Sequence, residues 1–438
     1  MNAGARLSGV AARAAPAAEV LLRRLRPDIG RALAGRRRAA AELAAWGRRR
    51  APGPLVWLHG ASAGELLGAA PAIRTLRSRG AYRSGRRAQL LVTHSSPSGR
   101  GALPWLDSDH AGYPPLDRRR DCDAALAALR PGLLVFAKLD VWPGLAAAAA
   151  RAGVPTALIN GTVRAGSRRA GPVARRLFRQ SYARLGAVGA ASPEDARQLV
   201  ALGVRADRLG VTGDAAFDLA LERADRARAD GSVAAFRAAL GDPGARTLRL
   251  IAGSTWPADE GALLDGVAAA RRAGGPVWQL VIAPHEPTAP HIDALVASCA
   301  ARGERAVRWS RLGESTGPPA GAVIVLDEVG RLAELYAAGD AAWVGGGLGG
   351  TGLHNVLEPA AAGLPVLFGP RHDRADARAL EAAGGGLGSP AGALADTLSR
   401  LADPRLREHH GRAARAFVEA GAGAATRTAD LLSSLWPG

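Results

Sequence analysis

Short apolar runs alternate with stretches of helical spacing along most of the chain. Runs of this length bounded by small or polar residues read as buried strands, and apolar residues at i, i+3, i+4 and i+7 read as helices. In the first half the strand candidates are Pro54–Leu58, Ala88–Val92, Leu133–Phe136, Thr156–Ile159 and Ala187–Ala190, with Leu209–Asp214 closing the series. Between them helices are predicted over Leu66–Arg79, Asp121–Leu129, the arginine-rich Arg164–Leu185, and from Pro193 onward. The last has Ser192 as N-cap, proline next and acids in its first turn. After a helical link, Ala220–Leu240, a second series begins. Its strands are Thr247–Ala252, Val277–Ile282, Val323–Leu326, Ala341–Val344 and Leu364–Phe368. Its helices are Ala258–Ala270, Arg331–Ala338, His354–Ala362 and Ala375–Ala383, and the tail Asp403–Leu435 is mostly helical. Two successive strand–helix series predict an α/β protein with two Rossmann-like domains facing a central cleft.

The expected boundaries are a basic segment over 1–50, a first domain over 51–220, a linker helix region over 221–245 and a second domain over 246–438. Within the first segment, helices are expected over Ala14–Leu25 and Arg31–Trp46, with mixed basic and apolar faces. No apolar run there reaches the length of a membrane span, and arginines break the pattern of a signal peptide. The chain has 438 residues and a formal net charge of +18. Twelve arginines against three acids in residues 1–50 supply half of that excess. Such a leader suits an anionic lipid surface or nucleic acid. Two cysteines, Cys122 and Cys299, give neither a disulfide framework nor a metal-ligand pattern.

The densest candidate chemistry follows strand Ala341–Val344. Six glycines stand within Gly345–Gly352, and a helix is expected from His354. Glycine lets backbone approach a ligand closely, and a helix N-terminus favours an anion, so this is a place for a phosphate. The spacing is not the dinucleotide fingerprint, and no Gly-Lys-Ser/Thr follows to make a P-loop. Glu358, one turn after His354, is expected on the same helix face, where it would accept hydrogen bonds from a ribose diol. The turn Gly253–Ser254–Thr255 repeats the pattern after the first strand of this series, with Ser254 or Thr255 expected to cap the next helix. In the first half, His59, Ser62, Gly64 and Glu65 share one tight turn between a strand and a helix. Lys138, the one lysine of the chain, and Asp140 stand after Phe136. A lysine and a carboxylate at the end of a parallel strand are where ligands bind in open α/β sheets. An arrangement of this kind is shared, by analogy of fold, with two-domain nucleotide-sugar glycosyltransferases.

Four stretches together resemble a known family: Trp57–Glu65, Val211–Asp218, Gly253–Glu260 and Gly352–Ala360. In this combination and order the chain is similar to the 3-deoxy-D-manno-octulosonic acid (Kdo) transferases of lipopolysaccharide assembly, glycosyltransferase family 30, from about Trp57 to Arg374. The resemblance implies a GT-B fold. It implies inverting transfer of Kdo from CMP-Kdo to a lipid A precursor, with no bound metal and no other cofactor. The family's base is the glutamate of its H-x-x-S-x-G-E motif, here Glu65, with Asp140 and Lys138 beside it and His59, Ser62 and Gly64 on the acceptor side. CMP-Kdo would be held by Gly253, Ser254, Thr255, His285, Gly349, Gly350, His354, Asn355 and Glu358. Many members carry two acids where this chain has Lys138 and Asp140, and an arginine where Pro284 is followed by His285. The implied location is the cytoplasmic face of the inner membrane, peripherally held, with the basic leader in place of the family's hydrophobic anchor. Within the same fold, a transferase using a UDP- or GDP-sugar is the rival reading. A nucleic-acid-binding protein fits poorly: aromatics are 4% of residues, too few for a stacking platform, and Glu65 and Glu358 would go unexplained.

Overall fold

The computed structural model describes residues 27–84, 87–163, 172–241, 247–275, 277–312, 318–319 and 321–436. The helix expected over Ala14–Leu25, and the first part of that expected from Arg164, lie outside them. The chain divides into two compact units, Met1–Leu219 with Ala422–Gly438, and Ala220–Gly421.

The first unit holds seven parallel strands: β1 (Leu55–Gly60), β2 (Gln89–His94), β3 (His110–Gly112), β4 (Leu133–Ala137), β5 (Thr156–Gly161), β6 (Ala187–Ala190) and β7 (Leu209–Val211). Their order is β3-β2-β1-β4-β5-β6-β7. The second unit holds β8 (Thr247–Thr255), β9 (Val277–Pro284), β10 (Ala306–Arg308), β11 (Val323–Val325), β12 (Ala341–Val344), β13 (Val366–Phe368) and β14 (Gly386–Gly388). These are also parallel, in the order β10-β11-β9-β8-β12-β13-β14. The α/β class and the paired parallel sheets of a GT-B architecture are therefore as the sequence predicts.

The apolar runs are continuous because both faces of each sheet are covered. Leu55, Trp57, Leu134 and Phe136 enter one core, while Val56, Leu58, Leu133 and Val135 enter another. In the second sheet Leu250, Ala252, Trp278, Trp343 and Leu367 share one core, and Ile251, Val281, Ile324 and Ala342 the other.

Three differences from the sequence expectation concern boundaries. The basic leader does not stand wholly apart, because helix Pro27–Arg49 buries Ala39 and Leu43, the latter in a core with Trp57, Leu126 and Leu129. Trp46 on the same helix stacks on His110 at 4.9 Å, and the Arg36 guanidinium lies 4.1 Å over the Trp142 ring. The link is two helices, Ala216–Ala229 and Ser232–Ala239, broken at Gly231, whose φ of 81° lies in the left-handed region. The C-terminal helix Ala424–Ser433 belongs with the first unit, where Ala429 and Leu432 pack against Ile73 and its neighbours. Asp218 accepts the Gly423 and Ala425 amides at its start (2.9 and 3.3 Å), and Arg427 donates to the Thr212 carbonyl at 2.9 Å. The stretch Val211–Asp218 is thus a fastening for the returning chain.

Candidate functional site

Strand order reverses direction between β1 and β4 in the first sheet and between β8 and β12 in the second. Ligands of open α/β sheets bind beyond the carboxyl ends of strands at such switch points. His59 to Glu65 follow β1, and Lys138 to Asp140 follow β4. Gly253–Thr255 end β8, and the six-glycine loop follows β12. Lys138 and Ser254, neither of them glycine, hold φ of 55° and 53° here. Strain of this kind persists only where the surroundings impose it, and it concentrates at functional sites.

In the first unit, Asp140 is the hub. Its Oδ2 accepts from His59 Nε2 (3.1 Å), Trp142 Nε1 (3.1 Å) and the Ser95 hydroxyl (3.3 Å). His59 is fully buried, and its Nδ1 lies 2.9 Å from the Thr93 hydroxyl, which also accepts the Trp57 indole N–H. The carboxylate takes an N–H from Nε2, so in the neutral ring Nδ1 accepts and Thr93 donates. His59 was expected to face the acceptor; its burial makes it a positioning residue for Asp140.

Glu65 lies in the first turn of helix Ala63–Ser84, with its Oε2 accepting the Ala61 amide at 2.6 Å. Burial pushes its carboxyl above the usual carboxylate range. The Ala61 amide pulls it back, the Asp140 charge adds to the push, and Lys138 and His59 oppose it. The Ser62 carbonyl accepts the Leu66 amide at 3.1 Å, and Gly64 is exposed with open space beside its Cα. The turn thus brings Ser62, Gly64 and Glu65 together at the surface, while His59 stays beneath.

In the second unit the expected helix from His354 begins later, at Leu357, and runs to Ala361. Asn355 Oδ1 caps it, accepting the Leu357 amide at 3.0 Å. His354 and Glu358 therefore do not share a helix face. His354 instead joins Trp256 and His285: the two imidazoles are 4.1 Å apart, and Trp256 Nε1 donates to His354 Nε2 at 3.0 Å. Burial, then His285 and Arg374, push the His354 imidazole down to about 4, so it is neutral near pH 7 and carries its proton on Nδ1.

Glu358 Oε1 accepts from Arg223 at 3.0 Å, and the same guanidinium grips Glu334 through two bonds of 2.9 and 3.1 Å. Burial raises the Glu358 carboxyl, Arg223 lowers it, and Glu334 raises it. Nor do Ser254 and Thr255 cap the helix that follows β8. That helix is Pro257–Arg272, and Asp259 reaches back to the Trp256 amide at 3.0 Å and on to the Gly346 amide at 2.9 Å. The buried Thr255 hydroxyl donates to Glu260 at 3.0 Å, and Glu260 also holds His291 Nε2 at 3.0 Å.

The six glycines divide by task. A Cβ on Gly345 would run into the Ser254 carbonyl, and one on Gly346 (φ 97°) into the Gly352 carbonyl. Nothing lies within 4 Å of a Cβ on Gly350, and one on Gly349 meets only the Thr351 hydroxyl at 3.9 Å. The loop packs through its first half and leaves space at its second. Arg371, absent from the sequence reading, donates through its amide to the Gly347 carbonyl at 3.1 Å and so follows the loop. Among the described residues, no cluster of His, Cys, Asp or Glu could hold a metal ion, and no helix is long and apolar enough to cross a membrane.

Comparison with known proteins identifies the family. The model of the family described as 3-deoxy-D-manno-octulosonic-acid transferase (kdotransferase) matches residues 17–219. A 3-deoxy-D-manno-octulosonic acid transferase of Bordetella pertussis is 33% identical over 415 residues, covering 89% of this chain and 90% of the relative. The chain belongs to the 3-deoxy-D-manno-octulosonic acid transferase family. A second such transferase, from Chlamydia pneumoniae, is 29% identical over 394 residues, covering 88% of this chain and 86% of its own. Among solved structures, the UDP-GlcNAc 2-epimerase of Neisseria meningitidis bound to UDP-GlcNAc superposes with a TM-score of 0.58 at 14% identity, covering 88% of this chain and 100% of that one. A putative UDP-N-acetylglucosamine 2-epimerase from Listeria monocytogenes gives 0.56 at 14% identity, covering 87% of this chain and 96% of its own. These two likenesses concern the fold alone.

As a member of the Kdo transferase family the protein is a glycosyltransferase that moves Kdo in lipopolysaccharide biosynthesis. Residues the sequence reading missed are Thr93, Ser95, Trp142, Trp256, Asp259 and Arg223. Trp142 and Trp256 stand beside residues it did name, in Lys138–Pro143 and Gly253–Pro257. Arg223 carried no signal in a chain where arginine fills nearly every cationic position.

Proposed function

We propose that this Kdo transferase takes Kdo from CMP-Kdo and transfers it, with inversion, to a hydroxyl of a lipid A precursor. The observation that carries the proposal is the Glu65 carboxyl. It is half-buried, raised in proton affinity, and set at the strand switch point beside Asp140 and Lys138. A general base works best when its pKa approaches the working pH, and burial moves Glu65 in that direction.

In the step proposed, Glu65 takes the proton of the acceptor hydroxyl as its oxygen bonds to the anomeric carbon of Kdo. The bond from that carbon to the CMP phosphate oxygen breaks, and CMP leaves with the electron pair. Asp140, fixed by three donors, holds the local charge in place, and Lys138 offsets the negative charge around the base. In the second unit, the space at Gly349–Gly350 admits the phosphate, with Gly253 and Ser254 at the adjacent strand end. The clustered rings of Trp256, His285 and His354 stand toward the donor, with His354 offering a neutral N–H. Glu358, steadied by Arg223, accepts from the ribose. Residues 1–50 would hold the enzyme to the anionic cytoplasmic face of the inner membrane by charge, so attachment would weaken with salt.

The test is transfer from CMP-Kdo, generated in situ, to a tetra-acylated lipid A precursor, read by mass spectrometry. Addition of one Kdo mass, with thermal protection by CMP and none by UDP, is expected. Absence of both transfer and CMP binding would contradict the reading.

A further inference from the structure

Helix Pro27–Arg49 carries three consecutive arginines, and the fold treats them differently. Arg37 and Arg38 are exposed, while Arg36 is half-buried and turned toward the start of helix Pro143–Arg151. Its guanidinium carbon lies 4.1 Å from the centre of the Trp142 ring. The preceding residue fixes that approach. A Cβ on Gly35 would run into the Tyr113 ring, so only glycine lets the helix come this close.

The guanidinium is poorly served by hydrogen bonds. Arg36 Nη2 donates to the Pro115 carbonyl at 3.4 Å, and its buried Nε has no hydrogen-bond partner among the described residues. Burial lowers its proton affinity below the usual arginine value, and the charges of Asp117 and then Asp140 oppose that fall. Both carboxylates are engaged elsewhere. Asp117 accepts the Gly144 and Leu145 amides at 3.0 and 2.9 Å, and Asp140 accepts from His59, Trp142 and Ser95. A desolvated cation so sparsely bonded adds little to stability by itself. Its firm contact is the indole face that it covers.

Trp142 connects that cation to the candidate base. It is the N-cap residue of helix Pro143–Arg151, whose first amides Asp117 holds. Its Nε1 donates to Asp140 Oδ2 at 3.1 Å, and its ring stands edge-on to His59 with 6.0 Å between centres. A desolvated cation over an indole is held by the ring quadrupole. The ring is thus fixed from its face by Arg36 and from its edge by Asp140. We propose that Arg36 is a positioning residue for Kdo transfer: it clamps Trp142 so that the indole N–H holds the Asp140 carboxylate beside Glu65. This rests on the reading above that Glu65 takes the proton. By this contact the basic helix sets the rate of the chemical step, separately from any attachment to a membrane.

The experiment measures transfer from CMP-Kdo to the tetra-acylated acceptor in neutral detergent micelles, where attachment to an anionic surface plays no part. Each variant is assayed well below its own melting temperature. Arg36→Met keeps much of the side-chain length and removes the cation. It should lower kcat about tenfold, with KM for both substrates within about twofold of wild type. A merely structural arginine would lower the melting temperature without that split. In a Trp142→Phe background, which keeps a ring but lacks the N–H, Arg36→Met should lower kcat by less than about twofold, because the two side chains act as one unit. Arg36→Lys keeps the charge without the planar stack and should lose about threefold; it takes the place of Arg36→Met in the same cycle should the latter not fold. A kcat for Arg36→Met within about twofold of wild type, or a loss that multiplies in full with that of Trp142→Phe, would overturn the role of Arg36 and leave the transferase reading standing. Wild-type enzyme that transfers no Kdo would overturn both.

Discussion

The two switch-point sites are built from opposite materials. In the first unit the functional surface is charged: Glu65, Asp140 and Lys138 act on one another through space, and a buried histidine holds the central carboxylate. In the second unit the surface is backbone, rings and glycine. There Glu358 is tied to Arg223, Glu260 to Thr255 and His291, and Asp259 to two amides. A site whose carboxylates are already spoken for can position a ligand but has little to offer a proton. A site with a raised carboxyl that accepts one hydrogen bond among the described residues can move one. The contrast supports the proposal that proton transfer belongs to the first unit and nucleotide binding to the second.

The largest effect that would break this contrast concerns Glu65. Glu65→Gln keeps an oxygen for the Ala61 amide, so folding should be unaffected, while the transfer rate should fall by about 10²–10⁴. Single-turnover assays with thermal melting alongside would show both. Next is Asp140→Ala, which leaves the His59, Trp142 and Ser95 donors without their acceptor. It should cost about 3 kcal/mol of stability, measured by urea unfolding, as well as activity.

The glycine loop sharpens the comparison further. Gly345→Ala must displace the Ser254 carbonyl and should lower stability by about 1–3 kcal/mol. Gly350→Ala has room and should leave the melting temperature unchanged, while raising the KM for the donor if phosphate lies against the loop. Equal effects of the two on stability would contradict the division of tasks.

The smallest effect is electrostatic. Lys138 holds the Glu65 carboxyl down, so Lys138→Met should move the acid limb of the rate profile to higher pH. Asp140→Asn should move it lower, because the Asp140 charge pushes Glu65 up.

Much of this was legible in the sequence, for physical reasons. Strands buried on both faces give unbroken apolar runs, and Ala187–Ala190 and Ala341–Val344 fall on β6 and β12 to the residue. Strand ends carry the small and polar residues of a ligand loop, so Glu65, Lys138 and the Gly253–Thr255 turn could be singled out. What could not be read was which side chain each polar residue would meet. Asp259 stands in the first turn of the helix expected from Ala258, yet it joins the helix start to the amide of Gly346, 87 residues on. His354 fitted a helical period, but its contact with Trp256 and the cap by Asn355 delay the helix to Leu357. The return of Ala424–Ser433 to the first unit depends on Asp218 accepting from Gly423 and Ala425, a long-range contact that local periodicity does not encode.

The most direct test of the account is the single-turnover pH–rate profile of the wild-type enzyme beside that of Glu65→Gln. The wild-type rate should rise with pH through a limb centred above the ordinary glutamate value, since burial raises the carboxyl that must lose its proton before it can act. The residual rate of the variant should lack that limb. A variant that keeps the limb at the same pH, with a rate near wild type, would place the base elsewhere.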